Sequence, residues 1–323
     1  MKRIVLSESS YDFKYKSILS HLEDFHVVEG GFFKLIKILA TRKSFYHIRY
    51  IKYRGKIITV LRYLIIALLA KLSGSKIIWS CHNIYEHNFS SKKYNDFIRE
   101  FLAKISHKIV VFHKDLIAYL PDSSKHKVYI ASFGNYREFI EQQTEQNKEF
   151  QKQHKNWLNQ QNIKFPDLIS ISAAKNNNLN FFISKLADKY NFLVIAPKVP
   201  LNIISKKKNI FIYNSSFVKA EIKEILNHSP KLIGIIGHDN ISVPTSIYMF
   251  ASFGIPVVVL NVNPVNSMVK EFSIGEVIDE NIHLDQLILR IQTNYSSYQE
   301  NCIKFTRKMS WSNSADVHKE VFS

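Results

Sequence analysis

A short apolar run, Ile77-Ile78-Trp79, is followed at once by Ser80, Cys81, His82, Asn83, Glu86, His87 and Asn88. Two imidazoles and a carboxylate within six residues supply acid, base and hydrogen-bonding groups together. Side chains two or three apart in a loop cannot all point one way, so a single base is expected: Glu86 or His87, with His82 beside Asn83 shaping the loop. The alternative is a capped loop whose histidines pair with backbone. A second polar group, Lys175-Asn176, follows the apolar run Leu168 to Ile171. A lysine at a loop-to-helix junction can meet a diphosphate, with free helix N–H groups beside it; a solvated lysine in a polar turn reads the same. Thr245 and Ser246 open a third segment, where hydroxyls and helix N–H groups can hold a pyrophosphate. Ordinary N-capping asks for the same residue types.

The elements that must position these groups alternate. Strands are predicted over residues 3–7, 25–28, 44–50, 77–79, 108–112 and 127–130, with helices over 15–23, 32–41, 52–72, 92–106 and 115–120 between them. The stretch 137–165 is rich in Gln, Asn, Lys and Glu and reads as a solvated helix or hinge. The pattern then restarts with strands over 167–172, 192–196, 210–213, 232–236 and 257–260 and helices over 179–189, 217–227, 245–253 and 283–309. Strand–helix alternation means parallel sheets with crossover helices. Parallel sheets place their sites at the carboxyl edge, where the polar groups at His82–His87 and Lys175–Asn176 fall. Residues 52–72 are the most amphipathic stretch. Lys52, Arg54, Lys56 and Arg62 precede an apolar run from Tyr63 to Ala70, too short to span a bilayer. A helix packed on the sheet is expected there, with a helix resting in the headgroup layer as the other reading.

At 323 residues, 46% of them hydrophobic, the chain suits two domains of ordinary size. The two cysteines, Cys81 and Cys302, make neither a disulfide framework nor a zinc site, which points to a reducing compartment. The formal net charge of +17 attracts polyanions: nucleic acid, anionic lipid or nucleotide phosphates. No zinc-finger, RNP or basic-zipper pattern accompanies it, so nucleic acid is not an expected partner. The sequence also lacks a nucleophile elbow, a His-Glu-x-x-His, a Walker loop, a dinucleotide loop and an Asp-x-Asp metal motif.

Five segments carry a family resemblance. Trp79-x-x-His82-Asn83-x-x-x-His87 resembles the W-x-x-H-N-x-x-P-H-E segment of bacterial sugar-nucleotide glycosyltransferases with the GT-B architecture. Ser44 to Tyr50 resembles their H-x-H strand, with Arg49 at the second His. Ser132-Phe133-Gly134-Asn135-Tyr136 resembles P-H-G-x-Y, with Phe133 at the His. Ser172-Ala173-Ala174-Lys175-Asn176 resembles the strand-end G-R-x-x-x-K-N. Pro244 to Val258 resembles the nucleotide-sugar element that ends in G-x-P-V-I. Ile241 and Met249 stand where retaining family 4 enzymes carry their glutamate pair, which leaves the stereochemistry open.

The resemblance implies an α/β fold: two Rossmann-like domains with parallel sheets facing across a cleft. The expected division is an acceptor-side domain over 1–145, a hinge over 146–165, a nucleotide-sugar domain over 166–310, and a tail over 311–323 packing back on the first domain. It implies a glycosyltransferase that moves a sugar from a nucleotide diphosphate donor to a glycan or lipid-linked acceptor, in bacterial surface polysaccharide assembly. No separate cofactor and no metal are expected, the nucleotide sugar being a substrate. His82, Glu86 and His87 would be catalytic. Lys175, Asn176, Thr245 and Ser246 would hold the donor, and Asn83 and Tyr136 would contact substrate. With its charge, the protein is expected in the cytoplasm, peripheral on the anionic inner face of the membrane. The alternatives are a sugar-nucleotide epimerase of the same fold and a non-catalytic basic protein that binds membrane or polysaccharide.

Overall fold

The first strands are short and apolar on both faces, as strands covered by helices on both sides must be. In the computed structural model, residues 2–8, 12–51, 55–85, 91–137, 166–171, 177–195, 209–213, 229–279 and 283–323 are described. The chain divides into two units. The first comprises Met1–Gly134, Asn240–Val243 and Met309–Ser323, and the second Asn135–Asp239 and Pro244–Lys308.

The first unit is built on six parallel strands: β1 (Arg3–Ser7), β2 (Phe25–Glu29), β3 (Phe45–Ile48), β4 (Lys76–Cys81), β5 (Lys108–Val111) and β6 (Val128–Ile130). Their order is β2-β1-β3-β4-β5-β6, so the chain reverses its direction of travel between β1 and β3. Helices α1 (Phe13–Leu19), α2 (Phe32–Thr41), α3 (Lys56–Ser73) and α4 (Lys92–Ile105) make the crossovers, and two 3₁₀ helices join β5 to β6. The stop after α3 is set by Gly74. Its φ of 65° is left-handed, and its N–H returns to the carbonyls of Ala70 and Lys71 before β4 begins. A later helix, α10 (Trp311–Val321), belongs to this unit. Lys76 and Lys108 donate to main-chain oxygens of Ser323 and Glu320, and Arg3 donates to Phe322. Trp311 lies flat against Gly134, where a Cβ would stand 2.4 Å from its Cγ. The glycine of the P-H-G-x-Y-like segment is thus required by packing.

The second unit repeats the plan with β7 (Leu168–Ile171), β8 (Phe192–Ile195), β9 (Ile210–Tyr213), β10 (Ile233–Ile236), β11 (Val257–Val259) and β12 (Gly275–Val277). All pairs are parallel, in the order β12-β11-β10-β7-β8-β9. Among the described residues its helices are α5 (Asn177–Leu186), α6 (Thr245–Ser252), α7 (Val265–Phe272), α8 (Leu284–Thr293) and α9 (Tyr295–Lys308). Phe182, Leu186 and Phe192 pack with Ile233, Ile235 and Ile288 in its core. The single long helix expected over 283–309 is two. Asn294 ends α8 with its backbone N–H and its side-chain amide both on the Arg290 carbonyl. Gly254, at φ 68°, stops α6 ahead of β11. The helix expected over 217–227 and the hinge over 146–165 lie outside the described residues.

Candidate functional site

Each sheet has one place where neighbouring strands are followed by chain leaving in opposite directions. In an open parallel sheet, ligands bind in the crevice there, beyond the carboxyl ends of the strands.

In the first unit the edge is formed by the residues after β1, β3, β4 and β5, with the start of α1. His82, the residue after β4, has its Nε2 3.0 Å from the hydroxyl of Tyr15. Its ring is stacked between Tyr50 and Phe112, at centroid distances of 5.0 and 4.6 Å. Burial, then the charges of Lys14 and Arg49, hold its pKa well below the ordinary histidine value. It is therefore neutral near pH 7, a weak proton acceptor but an intact hydrogen-bonding group. Deeper in, His47 Nε2 lies 2.8 Å from Ser80 Oγ. Burial and the charge of Arg49 lower its pKa in the same way. The Arg49 guanidinium lies 4.6 Å over the ring of Tyr15 and 5.6 Å over that of Tyr50. Lys14 Nζ sits 5.0 Å over Phe133, and burial lowers its pKa.

Space separates the inner part of this edge from the outer. The cavity lined by Ser7, His47, Arg49 and Tyr63 has a volume of about 10 Å³, room for one water. His47 and Ser80 are packing partners there. His82, only half-buried, is at the rim. Beside them Glu8, just after β1, accepts from Tyr46 and pairs with Arg62 of α3. Burial and the Glu8 carboxylate push the Tyr46 phenol upward, so it remains a donor.

After His82 the backbone is fixed by the 240–243 segment of the same unit. Asn83 and Ser242 form an antiparallel bridge, Ile84 N–H donates to Ile241 O at 3.1 Å, and Asn240 Nδ2 donates to Tyr85 O at 3.1 Å. Ile241 was notable in the sequence only for standing at a glutamate's place; here its carbonyl anchors the polar loop. Glu86 and His87 fall just beyond, outside the described residues.

In the second unit the strands at the switch are β7 and β10. Asn178, in the first turn of α5, reaches across it. Its Nδ2 donates to Asp239 Oδ2 at 2.9 Å and to the Gly237 carbonyl at 3.3 Å, both beyond β10. That link ties the start of α5 to the loop that leads toward α6. Thr245 and Ser246 are the first two residues of α6, both half-buried. The cap is Pro244, which offers no side-chain oxygen, so no side-chain cap engages the first N–H groups of α6. Gly234 lets α6 approach: a Cβ there would lie 2.7 Å from the Phe250 ring. Lys175 and Asn176 lie outside the described residues. Tyr136 is buried, and its N–H donates to Ser252 Oγ, which in turn donates to the Tyr248 carbonyl in α6. Among the described residues no group of three or more His, Cys, Asp or Glu is arranged to hold a metal ion.

The sequence did not single out Tyr15, Lys14 or Asn178. Tyr15 and Lys14 carried one available signal, being the first polar residues of the helix after β1.

No family model matches the chain, and no curated protein sequence matches it. Solved structures do. HepE from Anabaena in complex with UDP is similar over 99% of this chain and 98% of its own, with a TM-score of 0.64 at 9% identity. The fold is GT-B. A glycosyltransferase from Rickettsia africae is similar over 99% of this chain and 98% of its own, at a TM-score of 0.65 and 12% identity. UDP-GlcNAc 2-epimerase from Neisseria meningitidis, bound to UDP-GlcNAc, is similar over 99% of both chains, at 0.58 and 13%. Both six-stranded sheets of this chain fall within these matches, so the GT-B fold extends over its whole length.

Proposed function

We propose that this protein is a glycosyltransferase. It moves a sugar from a nucleotide diphosphate donor to a glycan or lipid-linked acceptor at the inner face of the cytoplasmic membrane, in bacterial surface polysaccharide biosynthesis. The observation that carries the reading is the whole-length likeness in fold to HepE with UDP, together with a polar switch point in the second sheet. The first unit takes the acceptor and the second takes the donor. Lys175, Asn176 and the N–H groups and hydroxyls of Thr245 and Ser246 meet the diphosphate, whose charge needs fixed donors as it leaves. Asn178 supports that role by tying the start of α5 to residues 237–239. Asn83 and Tyr136 contribute substrate contacts.

In the transfer, an acceptor oxygen forms a bond to the anomeric carbon while the bond from that carbon to the diphosphate oxygen breaks. The nucleoside diphosphate leaves with the electron pair. In an inverting transfer the acceptor proton passes to a base, Glu86 or His87. Neutral His82, held by Tyr15, orients that loop and is itself the weaker base.

The epimerase from Neisseria favours a second reading, a sugar-nucleotide epimerase. Incubation with a labelled nucleotide sugar, with and without acceptor, tests both. A transferase releases nucleoside diphosphate in step with acceptor; an epimerase alters the sugar with no acceptor present. Neither outcome with any donor would leave a basic binding protein as the remaining reading.

A further inference from the structure

Helix α3 buries Thr59, Tyr63, Ile66 and Ala70 against its own unit. The other face is apolar and open. Ile57, Ile58, Leu61, Leu64, Leu68 and Leu72 recur at three- and four-residue spacing and are all exposed, Ile57 and Leu72 by three quarters. Beside them Phe33 of α2 is 82% exposed. Between the two helices lies an open groove of about 530 Å³, lined by Phe32, Phe33, Ile58, Leu61 and Ile65, with the Glu8–Arg62 pair also on its wall. An apolar patch of this extent marks an interaction surface.

The charges decide what covers it. Helices α2 and α3 contain no Asp or Glu, but they carry Lys34, Lys37, Lys56, Arg62 and Lys71. All four lysines are exposed. Two copies meeting face to face would set these cations against each other, because a two-fold contact brings like patches together. An anionic bilayer answers both features at once: headgroups for the lysines, hydrocarbon for the stripe. Among the described residues no helix is long and apolar enough to cross a membrane, so α3 would lie in the plane of the interface.

We propose that the α2–α3 face is the surface by which this protein beds into an anionic lipid bilayer, with the groove between the helices receiving one alkyl chain. The proposal rests on the membrane part of the function given above and identifies its surface. Binding is held by inserted side chains as well as by charge, so it survives salt in part.

The test is co-sedimentation with phosphatidylglycerol–phosphatidylcholine vesicles, at low salt and at ~1 M NaCl, where the screening length is about 3 Å. The wild type is expected to bind and to retain part of its binding at high salt. The Leu61→Gln, Leu68→Gln double variant changes exposed positions only. It should keep its circular dichroism melt and lose about ten-fold in partition per leucine. In a second experiment, Leu61→Trp should shift its emission to the blue on vesicles and be quenched by lipids brominated in the chain. Equal vesicle binding by the wild type and the double variant would overturn the proposal. So would absence of binding by the wild type, or light scattering that shows a dimer which the double variant breaks. Nucleoside diphosphate binding by the same proteins without vesicles separates the two claims: its loss counts against the proposed function, while vesicle binding alone decides this surface.

Discussion

Acid should unfold the first unit through three imidazoles. His47, His82 and His318 are all held below their ordinary pKa, His318 down to about 4. His318 is fully buried in α10, with Nδ1 2.7 Å from the Ser314 carbonyl and its ring edge-on to Tyr15 at 5.8 Å. Burial is the leading cause in each case, and the charge of Arg49 adds to it for His47 and His82. As pH falls below about 6.5, an unfolded chain protonates these histidines while the folded one does not, so folding stability drops. For His318 the loss continues down to about pH 4; at ~1.4 kcal/mol per pH unit it amounts to about 3 kcal/mol in all. His47 and His82 act with the same sign, losing stability as pH falls below about 6.5. The perturbation is His318→Phe, which keeps an aromatic ring at the position and removes the titration. It should cost about 1 kcal/mol near pH 7 through the lost hydrogen bond to Ser314. It should then lose stability with falling pH one proton less steeply than the wild type. Charge repulsion from the basic surface is common to both chains and cancels in the comparison. The assay is urea unfolding between about pH 7 and pH 4.5. Trp79 and Trp311, both buried in this unit, serve as the fluorescent reporters in a Trp157→Phe background. Equal pH slopes for the two proteins would refute the account of His318.

Other substitutions follow from the same structure and proposal. Gly134→Ala should destabilise the first unit by about 1–3 kcal/mol in the same unfolding assay, because the new Cβ would overlap the Trp311 ring. Lys175→Ala should weaken nucleoside diphosphate binding by about 1.5–3 kcal/mol in calorimetry and leave the melting temperature unchanged. Glu86→Gln or His87→Ala should lower transfer by about two to four orders of magnitude while donor affinity stays near wild type. Full turnover in both would place the base elsewhere.

Much of the framework was legible because local patterns determine it. Buried parallel strands announce themselves as short apolar runs, and Lys108–Val111 or Ile233–Ile236 needed no partner to be read. Stops were legible where a glycine must adopt a left-handed φ, as at Gly254. The position of His82 at a strand's carboxyl end was legible for the same reason. Its surroundings were not, since Tyr15, Arg49 and Phe112 come from three other elements and meet only through the register of the sheet. The return of residues 240–243 to pair with Asn83–Tyr85 is a contact across about 160 positions in sequence, beyond any periodicity. Asn178 looked like one of three consecutive asparagines until its bonds to residues 237 and 239 were seen. The helix over 52–72 was expected to pack on the sheet, and α3 does so with one face. That its other face would be apolar too was present in the composition, but only burial tells which face is which.

The central claim is that the second unit binds a nucleotide diphosphate sugar. Its most direct test is titration calorimetry of the purified protein against the common nucleoside diphosphates, followed by the matching nucleotide sugars. The account predicts that one base is bound with a Kd below about 1 mM, and that Lys175→Ala weakens it while Leu61→Gln does not. A protein that is folded by circular dichroism but binds none of them at that concentration would contradict it.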